Sequence, residues 1–205
     1  MTQKYFALRN PYKTRFGSSQ RTISFPPWTG SEFDLYSAEA IGARWSPTTI
    51  AFSSTVVIPS TPPVDTSAKP DFPSVVGEWH AASRKMREIL ERVAPGCVEF
   101  LPFQAMTSTG GDTTDLYSVM HYLQWANAVD SKQSRLMEGE TRLRRVAGLG
   151  KDYLLDHVVL KASKLTEPVC RVVGWSPMHL YREDVVAALK EAKITGLEFE
   201  EIQAA

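Results

Sequence analysis

Two segments of the chain place apolar residues on one face of a helix and then continue into a strand. The first has the i, i+3, i+4, i+7 spacing at Met86, Ile89, Leu90 and Val93. This spacing predicts an amphipathic helix, which Pro95-Gly96 ends before a strand at 97–101. The second has the same spacing at Val185, Ala188, Leu189 and Ala192. Gly196 and a strand at 197–199 follow, so both segments predict the same helix-strand unit.

The two units are separated by a constant offset of 99 positions. Four residues of the first unit meet an identical residue in the second: His80 and His179, Leu90 and Leu189, Glu99 and Glu198, Phe100 and Phe199. Four identities over 21 positions do not establish a duplication. They predict two similar helix-strand units about 99 residues apart.

The remaining pattern predicts short strands and one break. Before residue 58 the chain has short extended pieces, strand-like at 5–8 and 49–58, while 59–73 contains five prolines and predicts an exposed loop or linker. Further strands are predicted at 116–125, 153–160 and 168–173. We therefore expect a β-rich N-terminal part (1–58), the proline-rich loop or linker (59–73) and an α+β domain (74–205). Irregular alternation of elements favours an α+β fold, with a mixed or antiparallel sheet and a few packed helices.

Composition narrows the class of partner and the compartment. The 23 Lys plus Arg balance 23 Asp plus Glu, so no net positive charge favours nucleic acid as a partner. No apolar run approaches the roughly 18 residues needed to cross a bilayer, and the first residues lack a secretory signal. We expect a cytoplasmic protein that contacts neither membrane nor nucleic acid.

The nucleophilic, titratable and glycine-rich positions of the sequence form no known catalytic motif. Gly148-Leu149-Gly150-Lys151 lacks the spacer and the hydroxyl residue of a P-loop. Cys97 and Cys170 lie in apolar segments, where reduced cysteine behaves as a small buried hydrophobe. His80 and His179 precede helices and are predicted to be structural, and neither cysteine has a histidine at metal-ligand spacing. We expect no enzyme activity, no cofactor and no metal site.

The surface chemistry suits contact with a protein. Trp28 and Trp175 lie in turn-forming sequences, and tryptophan exposed on a loop is a frequent interface anchor. The C-terminal part is rich in acids that could meet a basic partner: Glu183, Asp184, Glu191, Glu198 and Glu200. These seven residues form the predicted partner-binding set. Two alternatives stay open: that the tryptophans fold back over the core, and that the acids are solvated or pair with the basic residues of 1–21.

Three segments of the sequence resemble those of a known family. They are the run 87–102, in which a helix leads into Phe100-Leu101-Pro102, the run 180–199, which ends in Thr195-Gly196-Leu197-Glu198-Phe199, and the opening 4–8. Together they are similar to immunity protein family eleven of bacterial polymorphic toxin systems. The resemblance covers most of the chain and is patchy between residues 10 and 75. One departure is Val169-Cys170-Arg171, where the family tends to have Leu-Phe-Arg.

The resemblance implies a protein that binds a cognate toxin, encoded by a neighbouring gene, and neutralises it by stoichiometric occlusion without a cofactor. A homodimer stays open. One alternative is a small hydrolase or transferase that uses Cys97 or Cys170 with a histidine. Another is a scaffold module of a secretion or phage-like system.

Overall fold

The computed structural model describes residues 3–9, 22–24, 56–58, 71–72, 74–76, 80–102, 105–107, 117–136, 144–146, 150–152 and 155–205. The helices are α1 (Arg84–Val93) and α2 (Glu183–Glu191), and Ala162–Lys164 forms a 3-10 turn. The strands are β1 (Tyr5–Arg9), β2 (Thr22–Ser24), β3 (Val56–Ile58), β4 (Ser74–Val76), β5 (His80–Ser83), β6 (Val98–Pro102), β7 (Ala105–Thr107), β8 (Tyr117–Tyr122), β9 (Trp125–Ala126), β10 (Arg135–Leu136), β11 (Arg144–Val146), β12 (Gly150–Asp152), β13 (Leu155–His157), β14 (Val169–Val172), β15 (Trp175–Arg182) and β16 (Glu198–Ile202).

Two sheets organise these strands. The larger has the order β16-β1-β15-β14-β9, in which β14 and β9 are parallel and the other pairs antiparallel. The smaller is antiparallel, with the order β5-β8-β6. The other described strands pair in twos: β2 with β4, β3 with β7, β10 with β13, and β11 with β12. A mixed sheet and an antiparallel sheet with two helices confirm the predicted α+β fold.

Both helices bury the faces that the sequence predicts. Ser83 caps α1, since its Oγ accepts a hydrogen bond from the Met86 amide at 3.2 Å. The predicted apolar face of α1 is buried at Met86, Ile89 and Leu90. In α2 the buried residues are Val185, Val186 and Leu189, and Glu183 and Asp184 place negative charge in the first turn, where the helix dipole favours it.

The two predicted units share both topology and register. In β5-α1-β6 and in β15-α2-β16, the two strands flank a third strand that is antiparallel to both, β8 in the first unit and β1 in the second. Phe100 pairs with Met120 and, 99 positions later, Phe199 pairs with Leu8. The same offset relates the pair Glu99 and His121 to the pair Glu198 and Arg9. The second unit therefore repeats the first residue by residue in its strand pairing.

The helices and both sheets share one hydrophobic core. It joins Met86 and Leu90 of α1 to Leu189 of α2, and it continues into Met120 of the smaller sheet and Tyr181 of the larger. A second cluster covers the opposite face of the larger sheet: Tyr5, Ala7, Ala126, Ala128, Leu160, Leu165, Cys170, Val172 and Leu180. The central strands of the larger sheet are therefore buried on both faces, because each face has its own apolar cluster.

The N-terminal strand belongs to the same sheet as the C-terminal elements. β1 lies between β15 and β16, so the predicted boundary at residue 58 does not separate it from them. The end of the predicted exposed linker is also not exposed, since Phe72 is 1% accessible and packs into the core of the two helices. In the described part of the chain, neither helix is long and apolar enough to span a bilayer.

Candidate functional site

A cluster of histidine and tyrosine side chains lies where the two repeated units meet. The ring centroids of His80 on β5 and His179 on β15 are 4.5 Å apart, and that of Tyr122 is 4.0 Å from His179. The Tyr122 hydroxyl lies 3.0 Å from His80 Nδ1 and 2.8 Å from the Tyr181 hydroxyl. The 99-residue offset thus brings two equivalent histidines into contact across the junction.

Burial shifts the pKa values of the side chains in this cluster. Burial, together with the nearby His80 and Arg171, holds the pKa of His179 well below its usual value. Burial likewise raises the pKa of Tyr122 and of Tyr181 above the ordinary tyrosine value. His179 is therefore neutral at neutral pH, and both tyrosines keep their protons. A fixed hydrogen-bond network of this kind suits packing between the units, in agreement with the structural role predicted for the two histidines.

The two cysteines lack the exposure and the lowered pKa of catalytic thiols. Cys97 and Cys170 are buried and free. Burial raises the pKa of both thiols, that of Cys170 to about 12, whereas a nucleophilic cysteine has a lowered pKa and some exposure. The prediction of reduced, buried cysteines is confirmed. Within the described residues, no three His, Cys, Asp or Glu side chains are grouped so as to hold a metal ion.

Arg171 is the arginine that this chain shares with the family's Leu-Phe-Arg segment, and its guanidinium stacks on an aromatic ring. It pairs in register with Trp125 on β9, and its guanidinium carbon lies 4.4 Å from the centroid of the Trp125 ring. Stacking of this kind is a favourable cation–π contact. On its other side Arg171 pairs in register with His179, so it connects the sheet edge with the histidine cluster.

Asp71 ties the start of α1 to the turn after α2. Its Oδ1 accepts a hydrogen bond from Ser83 Oγ at 2.7 Å, while its Oδ2 accepts from the Thr195 amide at 3.0 Å and from Thr195 Oγ1 at 3.1 Å. The Phe72 amide also donates to the Thr195 carbonyl at 3.0 Å. This connection was not predicted from the sequence, because it lies in the proline-rich segment, where an isolated aromatic residue, Phe72, is the one local signal.

The predicted acidic residues divide between two faces of the larger sheet. Glu183, Asp184 and Glu191 are exposed on α2, which packs on the face that carries Leu8 and Tyr181. Glu198 and Glu200 are exposed on β16, where strand alternation places them on the face of Ile202 and the second cluster. The five acids therefore form two separate groups.

Part of this acidic charge is already neutralised within the chain. Asp184 accepts two hydrogen bonds from the Arg182 guanidinium, both at 2.8 Å. Lys4 Nζ lies 2.9 Å from Oε1 of Glu201, a further acid of β16. Lys4 and Glu201 thus form an ion pair between the basic start of the chain and the acidic C-terminal strand.

Of the two predicted tryptophans, the structure describes Trp175. Trp175 begins β15 and pairs with Val172 across a tight turn, in which Gly174 adopts a positive φ of 80°. The turn-forming context predicted for Trp175 is therefore confirmed. Trp28 lies outside the described residues.

A pocket of about 290 Å³ opens where α1 ends beside β6. Its lining residues are Glu91, Pro95, Gly96, Val98, Glu99, Phe100 and Leu123. Glu99 Oε2 lies 3.3 Å from His121 Nδ1, and the Arg87 Nε donates to Glu91 Oε1 at 3.0 Å. From the sequence, these residues were predicted only to belong to a helix, a turn and a strand. No local signal indicates this pocket, because it forms only where the helix end and the strand meet in the fold.

Comparison with protein families agrees with the resemblance found in the sequence. The fold is an α+β domain of two related units, and its cysteines and central histidines are used for packing. The chain belongs to the immunity protein family (Imm11), whose model matches residues 7–204. No individual curated protein matches the chain significantly. Family membership indicates a toxin-neutralising immunity function.

Proposed function

We propose that this protein binds a cognate bacterial toxin in the cytoplasm and neutralises it by stoichiometric occlusion. The observation that carries the proposal is the match of the immunity family model to residues 7–204, nearly the whole chain. The toxin is expected to be the product of a neighbouring gene. A specific interface of ordinary size needs about 800 Å² from each partner, which a folded domain of this length supplies readily.

The thiol chemistry supports binding over the hydrolase or transferase alternative. A cysteine nucleophile must be deprotonated and reachable, and both thiols are buried with raised pKa values. Cys97 and Cys170 also belong to the two hydrophobic clusters, so they contribute packing on both sides of the larger sheet.

The predicted contact set, Trp28, Trp175, Glu183, Asp184, Glu191, Glu198 and Glu200, remains a proposal that the fold divides into testable groups. Because the sheet separates the α2 acids from the β16 acids, the two groups are to be varied independently. In the α2 group, Glu183 and Glu191 are the stronger proposed contacts, because Arg182 already binds Asp184. Alanine variants at all seven positions that each leave affinity within about 0.5 kcal/mol would exclude the set.

The deciding experiment is co-expression with the neighbouring gene under separate induction. The neighbour alone should stop growth, this chain should restore it, and the two proteins should purify as a 1:1 complex. A harmless neighbour, or one that is not retained, contradicts the proposal. Retention without growth rescue would instead favour the scaffold alternative.

A further inference from the structure

The strands β1 and β8 occupy equivalent places in the two repeated units. Val119 of β8 pairs with Ala81 on one side and with Leu101 on the other. Ala7 of β1 pairs with the two residues that follow these partners by 99 positions, Leu180 and Glu200. The neighbouring residues, Ser118 and Phe6, are related in the same way. β1 is therefore the counterpart of β8 in the second unit.

The two strands differ in how the chain connects them to the units that hold them. β8 lies in the first unit and is close in sequence to its neighbour β6, since only residues 103–116 separate them. β1 lies in the second unit, although the whole first unit stands between it and β15 in the sequence. β1 thus reaches the slot between β15 and β16 as a segment from a distant part of the chain.

The hydrogen bonds and the ion pair described for β1 and for Lys4 before it are with the C-terminal part of the chain. The Tyr5 hydroxyl donates to the Glu167 carbonyl at 3.1 Å, and the Glu183 amide donates to the Lys4 carbonyl at 3.1 Å. Lys4 Nζ lies 2.9 Å from Glu201 Oε1, and Tyr5 is buried in the second hydrophobic cluster. An identical slot on a second copy of this chain offers β1 the same bonds and the same apolar surroundings.

The contacts between the two units are reciprocal, as they are in a symmetric dimer. Asp71, which precedes the first unit, binds the Thr195 amide at the turn after α2. In the other direction Val169, which precedes the second unit, forms a hydrogen bond from its backbone with the thiol of Cys97, beside the equivalent turn at Gly96. A two-fold junction combined with strands supplied from a distance is the arrangement of a strand-exchanged dimer, here within one chain.

We infer that β1 is an exchangeable strand, and that two copies of this chain form a dimer in which the β1 of each copy fills the slot between β15 and β16 of the other. The strand pairing, the Lys4–Glu201 ion pair and the burial of Tyr5 are the same in the monomer and in the dimer. Exchange of an identical element is a low-cost route to dimers for this reason. Only the dimer joins two molecules, so its fraction rises with the concentration of the chain.

The exchange is confined to β1. β8 stays in its own copy, because the short connection of residues 103–116 keeps it at a high effective concentration beside β6. β1 has no short connection in the sequence to β15 or β16. The dimer does not depend on the toxin, since every contact that forms it lies between copies of this chain.

A disulfide between the positions of Phe6 and Glu201 reports which copy fills the slot. These residues are Cα partners across β1 and β16. Because the Lys4 carbonyl points to β15, backbone alternation turns the Phe6 groups to β15 as well, so Phe6 and Glu201 form a pair without mutual hydrogen bonds. The Cα atoms of such a pair are about 4.5 Å apart, within the range that a disulfide spans. The native thiols do not compete, because Cys97 and Cys170 are buried.

The test mixes full-length chains that carry Phe6→Cys alone with chains that carry Glu201→Cys alone, refolds them together from denaturant at several concentrations, and oxidises them. Exchange brings the new thiols of different chains side by side, so we expect a disulfide-linked dimer whose yield rises with concentration. The matched control mixes Ser118→Cys with Pro102→Cys, which are Cα partners at the equivalent position across β8 and β6. Its yield should be about tenfold lower, because β8 stays in its own copy.

A chain that carries both Phe6→Cys and Glu201→Cys gives a second measurement. When it is oxidised as a dilute monomer, the disulfide locks β1 in its own slot. The locked chain should stay monomeric by light scattering at concentrations at which the wild type forms dimers, and reduction should restore the dimer. If Phe6→Cys does not fold, Ala7→Cys with Glu200→Cys, the adjacent pair in the register, takes its place.

Three results would overturn the inference. A wild type that stays monomeric at every concentration shows that no exchange occurs. A linked dimer that forms equally with the control pair shows unspecific oxidation. A dimer that the locked chain also forms uses another surface, and β1 is then not exchanged.

Discussion

The imidazole rings of His80 and His179 are 4.5 Å apart between centroids, although 99 residues separate them in the sequence. Each ring is on the first strand of a strand-helix-strand unit, and the two units use the same register against β8 and β1. Equivalent positions of the repeat therefore meet at the junction between the sheets.

The buried neutral state of His179 makes stability depend on pH. Its folded pKa is lowered well below 6.5, so the unfolded chain binds the proton first as the pH falls. Above the unfolded pKa the full stability is present, and below it up to about 1.4 kcal/mol per pH unit is lost until the folded pKa is reached. We expect the free energy of unfolding to fall between about pH 7 and 5.

The groups facing His179 are His80, Tyr122 and Arg171, so a variant must separate its contribution from theirs. His179→Phe should reduce the slope of unfolding free energy against pH, measured by denaturant titration at several pH values. His157→Phe is the control, because His157 is exposed at the end of β13. Equal slopes for the wild type and both variants would contradict the prediction.

The hydroxyl of Tyr122 should contribute more to stability than that of Tyr181. Tyr122 OH contacts both His80 Nδ1 and Tyr181 OH, whereas Tyr181 OH contacts Tyr122 alone among the described residues. Buried polar groups that lose a partner cost about 1–3 kcal/mol. Tyr122→Phe should thus destabilise more than Tyr181→Phe in chemical denaturation, and the double variant should cost less than the sum. A larger effect of Tyr181→Phe, or strict additivity, would show that the network is wrong.

Asp71 belongs to neither helix, and it should stabilise the fold by connecting the start of α1 to the turn after α2. Asp71→Ala removes the contacts with Ser83 and Thr195 at once, and we expect a loss of about 1–3 kcal/mol in the free energy of unfolding. Asp130→Ala is a control, because the Asp130 carboxylate accepts its hydrogen bonds from Lys132 and Gln133, which belong to its own turn. Its melting temperature should change less than that of Asp71→Ala. The reverse order would mean that the Asp71 connection does not hold the two units together.

Both thiols should resist modification in the folded protein. Cys97 and Cys170 are 1% and 0% accessible, and their raised pKa values keep them protonated at neutral pH. A thiol reagent with a chromophore should label them slowly in the native state and release two equivalents after denaturation. Rapid labelling of either thiol in the native state would revive the cysteine enzyme alternative.

The local features of this protein could be derived from its sequence. Periodicity predicted α1 and α2 with their buried faces, because a helix is defined by contacts within a few residues. The strand after Pro95-Gly96 and the strand at 168–173 were predicted for the same reason, since glycine, proline and apolar runs act over short range. The family phrases are likewise runs of neighbouring residues, and they were sufficient to indicate the immunity family.

Long-range pairing was decided only by the tertiary structure. Nothing local indicates that β1 inserts between β15 and β16, or that Phe72 is buried after a proline-rich stretch. Strand pairing depends on which distant apolar faces cover each other, and that is a property of the whole core. The same pairing separated Glu191 from Glu198 across the sheet and created the pocket between α1 and β6. The sequence determined which residues make helices and strands, whereas the assembled sheets determined which of them meet.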